Sequence, residues 1–203
     1  MRPIDRKEFF KQSVKWSGCC GAALLASTMP MVCAGEEKEK SVFTPCEDRV
    51  KQGQEVLKRI IAQLDQKLDK TTREAIMESC GRLCHDGANP NTKKPTPEEA
   101  SRFLEGMRNY VGKEGVQQSG DETIIYFKYT RNPRGLKVSD GYCLCPILED
   151  APKGISSSYC HCSVGYVKAI FEQGLGKPAN VELTNSILRG GKSCDFTVRF
   201  KNT

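Results

Sequence analysis

Three times in its first hundred residues the chain repeats one tetrapeptide form: Thr44-Pro45-Cys46-Glu47, Thr71-Thr72-Arg73-Glu74 and Thr96-Pro97-Glu98-Glu99. Threonine followed three residues later by glutamate is a capping box, in which each side chain accepts a backbone N–H that the first helical turn leaves unpaired. Proline at the first helical position adds a preset φ where no N–H is needed. An apolar stripe at helical spacing follows each box. Val50, Leu57, Ile60, Ile61, Leu64 and Leu68 form the first, and Ile76, Met77, Cys80, Leu83 and Cys84 the second. Phe103, Leu104, Met107 and Val111 form the third. Gly87, Asn89 and Pro90 stop the second helix. The pattern predicts three helices between residues 44 and 112.

After Gly112 the period changes. Residues 122–130 are rich in Ile, Tyr and Phe and read as a strand, followed by a turn at Arg131-Asn132-Pro133-Arg134-Gly135. Residues 142–147 read as extended. A Gly/Pro/Ser-rich stretch leads into a helix from about Cys160 to Gln173, which Gly174, Gly176 and Pro178 end. Residues 181–188 and 194–200 read as two more strands around a hairpin turn at Arg189-Gly190-Gly191-Lys192. In the last strand Cys194, Phe196, Val198 and Phe200 share one face. The expected fold is α+β: an N-terminal layer of three helices (44–112) and a β-β-α-β-β half (120–203), a small antiparallel sheet crossed by one long helix. No internal repeat is present, and one domain accounts for residues 44–203.

The whole chain has 203 residues and a formal charge of +6. Five basic and two acidic residues fall in the first 34, leaving 26 minus 23, or +3, for the remainder. That surplus is too small for a dedicated nucleic-acid binder.

Residues 1–34 read as an export signal, with cleavage after Ala34 and a solvated linker at 35–43. The uncharged run 16–34 carries Gly18, Gly21 and Pro30 and is poor as a spanning helix, so no stable membrane span is expected after cleavage. Met31-Val32 before Cys33 does not form a lipobox. Asp5-Arg6-Lys7-Glu8-Phe9-Phe10-Lys11 resembles a twin-arginine signal, with Lys7 in place of the second arginine and Phe10 in place of leucine. Twin-arginine or general export machinery is therefore the expected partner, and a periplasmic or other extracytoplasmic location the expected destination. The resemblance implies export in the folded state, which suits a protein loaded with a metal before it leaves.

Of eleven cysteines, eight lie beyond residue 34, and six of these form close pairs: Cys80/Cys84, Cys143/Cys145 and Cys160/Cys162. Each pair suits a chelate. Cys80 and Cys84 stand four apart on one helical face. Cys143 and Cys145 would share one face of a strand. Cys160 and Cys162 fall at a helix start, where the dipole favours thiolate over thiol. Thiolates select zinc, copper(I) or iron–sulfur clusters. The expected metal set is Cys143, Cys145, Cys160 and Cys162, with Cys80 and Cys84 joining it or replacing two. The spacing is neither a zinc-ribbon nor a ferredoxin signature. His161 is expected to tune the neighbouring thiolates, His85 to lie on the surface, and Cys194 to pack in the core.

Two plainer readings stand beside that one. An exported chain with an even number of cysteines can form disulfides, although a bridge within Cys-x-Cys is strained, so bridges would run between pairs. Cys80 and Cys84 also fit as small hydrophobes on a buried stripe.

The C-terminal order of a Cys-containing helix start, a strand, Gly190-Gly191, and Cys194-x-Phe196 resembles the closing section of the 4-vinyl reductase domain superfamily. It also resembles bacterial proteins grouped with L-2-amino-thiazoline-4-carboxylic acid hydrolase. The resemblance covers about a fifth of the chain. It implies an α+β domain that binds a small molecule and carries over no catalytic residue. Three functions are thus in contention: an exported, thiolate-ligated zinc or iron–sulfur protein with a small-ligand pocket, a disulfide-stabilised envelope protein without metal, and a hydrolase of the amino-thiazoline type.

Overall fold

The structure, a computed structural model, describes residues 45–90, 93–129, 142–143, 145–148 and 154–202. The leader (1–34), the linker (35–43), Thr44, the side chain of Cys46 and the turn at 131–135 lie outside them. Three helices form where the stripes placed them: α1 (Pro45–Lys67), α2 (Lys70–Ala88) and α3 (Pro97–Val111). The capping box of α3 is complete: the Glu99 N–H donates to Thr96 Oγ1 at 3.3 Å and the Thr96 N–H to Glu99 Oε2 at 2.8 Å. Helix α2 starts one residue before its expected box. Asp69 caps it instead, accepting from the Thr72 N–H at 3.0 Å and the Thr72 hydroxyl at 2.6 Å. A carboxylate three residues before an N–H and a hydroxyl offers more than a threonine would at the same step.

Four antiparallel strands follow: β1 (Val116–Ser119), β2 (Glu122–Tyr129), β3 (Asn180–Asn185) and β4 (Cys194–Lys201), in the order β1-β2-β4-β3. Between β2 and β3 runs α4 (His161–Leu175), which ends at Gly176 in the left-handed region, φ 67°. The fold is α+β as expected. Val164, Val167, Phe171 and Leu175 bring one face of α4 onto Ile125, Phe127, Phe196, Val198 and Phe200 of the sheet, and Met107 closes the core from α3. Helix α2 packs on another face of α4, making a third layer.

The strand pairs differ from the expected ones. Residues 116–119 are too polar to read as a strand, yet β1 pairs with β2 across a two-residue turn, Gly120-Asp121, with Gly120 at φ 63°. Such a turn suits glycine at its first position and fixes the register. The extended segment expected at 142–147 is instead a 3-10 turn at Pro146–Leu148, closed by the Leu148 N–H on the Cys145 carbonyl at 3.0 Å. Pro146 has no N–H to offer a ladder. The connection at 189–192 is wider than a hairpin: a 3-10 turn at Ile187–Arg189 precedes Gly190 at φ 81°, and the Gly191 N–H returns to the Ser186 carbonyl at 2.9 Å.

The stripe of α2 is also rotated. Its buried residues are Met77, Gly81, His85 and Ala88, while Ile76, Leu83, Cys80 and Cys84 are exposed, Leu83 at 68%. Small residues win this face because α2 and α4 touch backbone to backbone. A Cβ on Gly81 would lie 1.8 Å from the Cys162 carbonyl oxygen, and one on Gly165 1.8 Å from that of Glu78. His85 therefore sits inside and not on the surface: it is 3% exposed, edge-on to the Tyr166 ring at 5.4 Å, with Nδ1 3.1 Å from Asp86 Oδ1.

Helix α1 turns Ile61, Leu57 and Leu64 inward and leaves Val50, Val56 and Ile60 in solvent. It braces the cysteine-bearing segment: Gln54 Nε2 donates to the Ile147 carbonyl at 2.9 Å, and the Ser158 hydroxyl to Asp65 Oδ1 at 2.8 Å. Among the described residues no helix is long and apolar enough to cross a membrane.

Candidate functional site

Cys194 opens the central strand β4, paired with Tyr129 of β2, and its side chain is on the face that α4 covers. Cys160 ends the 3-10 turn Ser157–Cys160 and serves as the first residue before α4. Its thiol donates to Ser186 Oγ at 3.2 Å, just beyond β3. Cys143 and Cys145 reach the same place from the braced segment, where Cys145 Sγ lies 3.3 Å from the Tyr159 hydroxyl. Cys143, Cys145, Cys160 and Cys194, with Tyr159, Ser163 and Ser186, line one cavity of about 10 Å³. That is room for a single water-sized body.

Three of the four expected ligands thus share a cavity with Cys194, which packs in the core as expected and also lines this cavity. Its alternation with Phe196 was a signal: the face that carries Phe196 into the core carries Cys194 to the start of α4. Cys162 is half-buried outside this cavity, where the charges of Cys145, Cys84 and Cys80 reach it. Cys80 and Cys84 lie on the exposed side of α2. None of the seven described cysteines forms a disulfide, and among the described residues no three His, Cys, Asp or Glu side chains stand at metal-holding distances as placed.

Burial dominates the electrostatics here. It pushes the Cys143 thiol up to about 12, with the neighbouring charges of Cys145, Cys194 and Cys160 adding to the rise. The Cys162 thiol is likewise pushed up to about 12, by burial first and then by Cys145, Cys84, Cys80 and Cys160. Cys160 is raised too, although the Ser186 hydrogen bond and the Arg189 charge pull the other way. The helix start therefore does not hold its cysteines as thiolates: a partial charge at a helix end is outweighed by loss of water. A cation in the cavity would reverse that order.

His161 does not line the cavity. Nε2 is 3.2 Å from Glu74 Oε1, tying α4 to α2, while Nδ1 is buried without a hydrogen-bond partner and burial lowers the ring's pKa. Arg189 donates to the Leu183 carbonyl at 3.1 Å, which makes it a brace for the β3–β4 connection. A second, open cleft of about 310 Å³ lies at the far end of the α2–α4 pair, lined by Arg82, Asp86, Lys93, Lys94, Glu172 and Gly176 among others. Arg82 and Glu172 form an ion pair within it.

The architecture defines a class: a helix-covered α+β domain with a cysteine-lined cavity where the central strand, the covering helix and a braced loop meet. The chain matches a family of unknown function, DUF6144, over residues 33–203, and it belongs to that family. No curated protein matches it.

Proposed function

We propose that this chain is an exported protein that binds one soft metal ion through the thiolates of Cys143, Cys145, Cys160 and Cys194. The observation that carries the reading is the convergence of four cysteines, from three separate stretches of chain, on one cavity of about 10 Å³. Four sulfurs are a complete tetrahedral set for zinc. The size favours a single ion over an iron–sulfur cluster, which needs room for several metal and sulfide atoms. Binding draws the four side chains inward and releases a proton from each thiol that becomes a ligand. A closed set leaves no position for water, so the ion's role is to hold the loop, α4 and β4 together, not to hydrolyse a substrate.

Export rests on the twin-arginine-like leader. The small-ligand part of the reading belongs to the open cleft, whose about 310 Å³ fits a small molecule.

Elemental analysis of protein purified without chelator tests the metal. The expected result is one zinc per chain, lost in Cys143→Ser and Cys194→Ser and kept in Cys80→Ser and Cys84→Ser. Failure of the reduced, metal-free protein to take up zinc overturns the reading.

A further inference from the structure

We propose that Ser186 and Tyr159 are positioning residues of the metal site: each presents a buried hydroxyl to a ligand sulfur, and together they set how tightly the ion is held but not how many ions are bound. The inference rests on the metal reading above and adds the groups that stand behind the ligands. Four thiolates around one divalent ion leave a net negative charge. Held in a buried cavity, that charge needs hydrogen-bond donors aimed at the sulfurs.

The walls of the cavity carry such donors. Ser186 is 1% exposed and directly follows β3. Its backbone is held on both sides: the N–H donates to Asn185 Oδ1 at 3.0 Å, and the carbonyl accepts from the Arg189 N–H at 3.1 Å and the Gly191 N–H at 2.9 Å. The hydroxyl therefore starts from a fixed point, and it meets Cys160 Sγ at 3.2 Å. Tyr159 reaches Cys145 Sγ at 3.3 Å from the turn before α4, its side chain packed in the cluster that includes Ile61, Met77 and Leu148. Most side-chain hydrogen bonds go to backbone or water. That these two buried hydroxyls both pair with sulfur, in one cavity, is the observation that carries the inference.

A hydroxyl both donates and accepts. With Cys160 a thiol, Ser186 accepts its proton; with Cys160 a ligand, no S–H remains and the Ser186 O–H turns to donate. The Tyr159 O–H donates to Cys145 in the same state. A hydrogen bond to an ionised partner is about twice as strong as a neutral one, so the gain falls on the loaded protein. Backbone amides add to the shell: the Leu188 N–H bonds to the Cys160 sulfur and the Cys145 N–H to the Cys143 sulfur. Cys143, Cys145 and Cys160 each have at least one donor.

The full chain, reduced and freed of metal, is titrated with zinc against a chromogenic chelator and separately with cobalt(II), beside Ser186→Ala and Tyr159→Phe. Each variant is expected to bind one zinc per chain as the parent does, with the dissociation constant raised about 10–100-fold. The sulfur-to-cobalt charge-transfer band is expected to move to longer wavelength in both, since a sulfur that loses a donor gives up its electrons more readily. Loosened packing alone would weaken binding and leave the band in place. The two residues lie on separate segments, so misfolding of one variant leaves the other to decide. Parental affinity, an unmoved band, or loss of the whole zinc equivalent in a folded variant overturns the inference. A parent that takes up no zinc fails the metal reading itself, a result distinct from a parent that binds and variants that match it.

Discussion

A methyl group on Gly81 would lie 1.8 Å from the Cys162 carbonyl oxygen and 2.8 Å from the Tyr166 nitrogen. Neither atom can swing away, because both belong to the backbone of α4. In an exposed helix, replacing glycine by alanine gains about 1 kcal/mol of helix propensity. At Gly81 and Gly165 the clash reverses that sign. Gly81→Ala and Gly165→Ala are each expected to lower the unfolding free energy by more than about 2 kcal/mol, as overpacked cores do. Gly53→Ala, with nothing within 4 Å of the added atom, is expected to raise it by about 0.5–1 kcal/mol. Urea midpoints of the three variants decide the matter, and a stabilised Gly81→Ala would refute the tight crossing.

At the scale of the element, what was legible in the sequence depended on whether the signal was local. The capping box of α3 is a four-residue signal and is present as read. Thr96→Ala is expected to cost about 1 kcal/mol in thermal or denaturant unfolding, the usual worth of an N-cap hydroxyl. Strand β4 was legible for the same reason, since alternation needs no knowledge of its neighbours. Helix α2 was legible as a helix and illegible as a face. Its apolar stripe pointed to Ile76, Met77, Cys80, Leu83 and Cys84, of which Met77 is buried, but the rest of the buried face is set by close approach to α4, which selects Gly81 and then carries His85 inside one turn later. Strand β1 was missed because its four residues, Val-Gln-Gln-Ser, lie at a sheet edge with mostly exposed side chains, so burial left no pattern on them. Cys143 and Cys145 were legible as a pair but not as part of a turn. Whether a Cys-x-Cys lies on a strand or in a loop is decided by Pro146 and by the distant Gln54 that holds the Ile147 carbonyl.

Across the whole molecule, the buried thiols make stability depend on alkalinity. Cys143 and Cys162 each rise from an ordinary 9.0 to about 12 on folding, burial being the largest cause for both. Below about pH 9 they are protonated in folded and unfolded chains alike, and their contribution is fully present. Between about 9 and about 12 the unfolded chain sheds these protons while the folded one keeps them, so stability falls as pH rises. Each thiol contributes a slope of at most about 1.4 kcal/mol per pH unit in that window. Reduced, metal-free protein is therefore expected to unfold at a lower urea concentration at about pH 10.5 than at about pH 8. Cys162→Ser removes one of the raised thiols, leaving Cys143 and Cys160, and should flatten that decline without abolishing it. Bound zinc exchanges the cavity's protons for a cation, so the loaded protein should resist the alkaline loss from Cys143 and weaken instead on the acid side, where protons compete for the sulfurs. Equal midpoints at both pH values, or a Cys162→Ser profile that overlays the parent's, would show that burial does not hold these thiols in their neutral form.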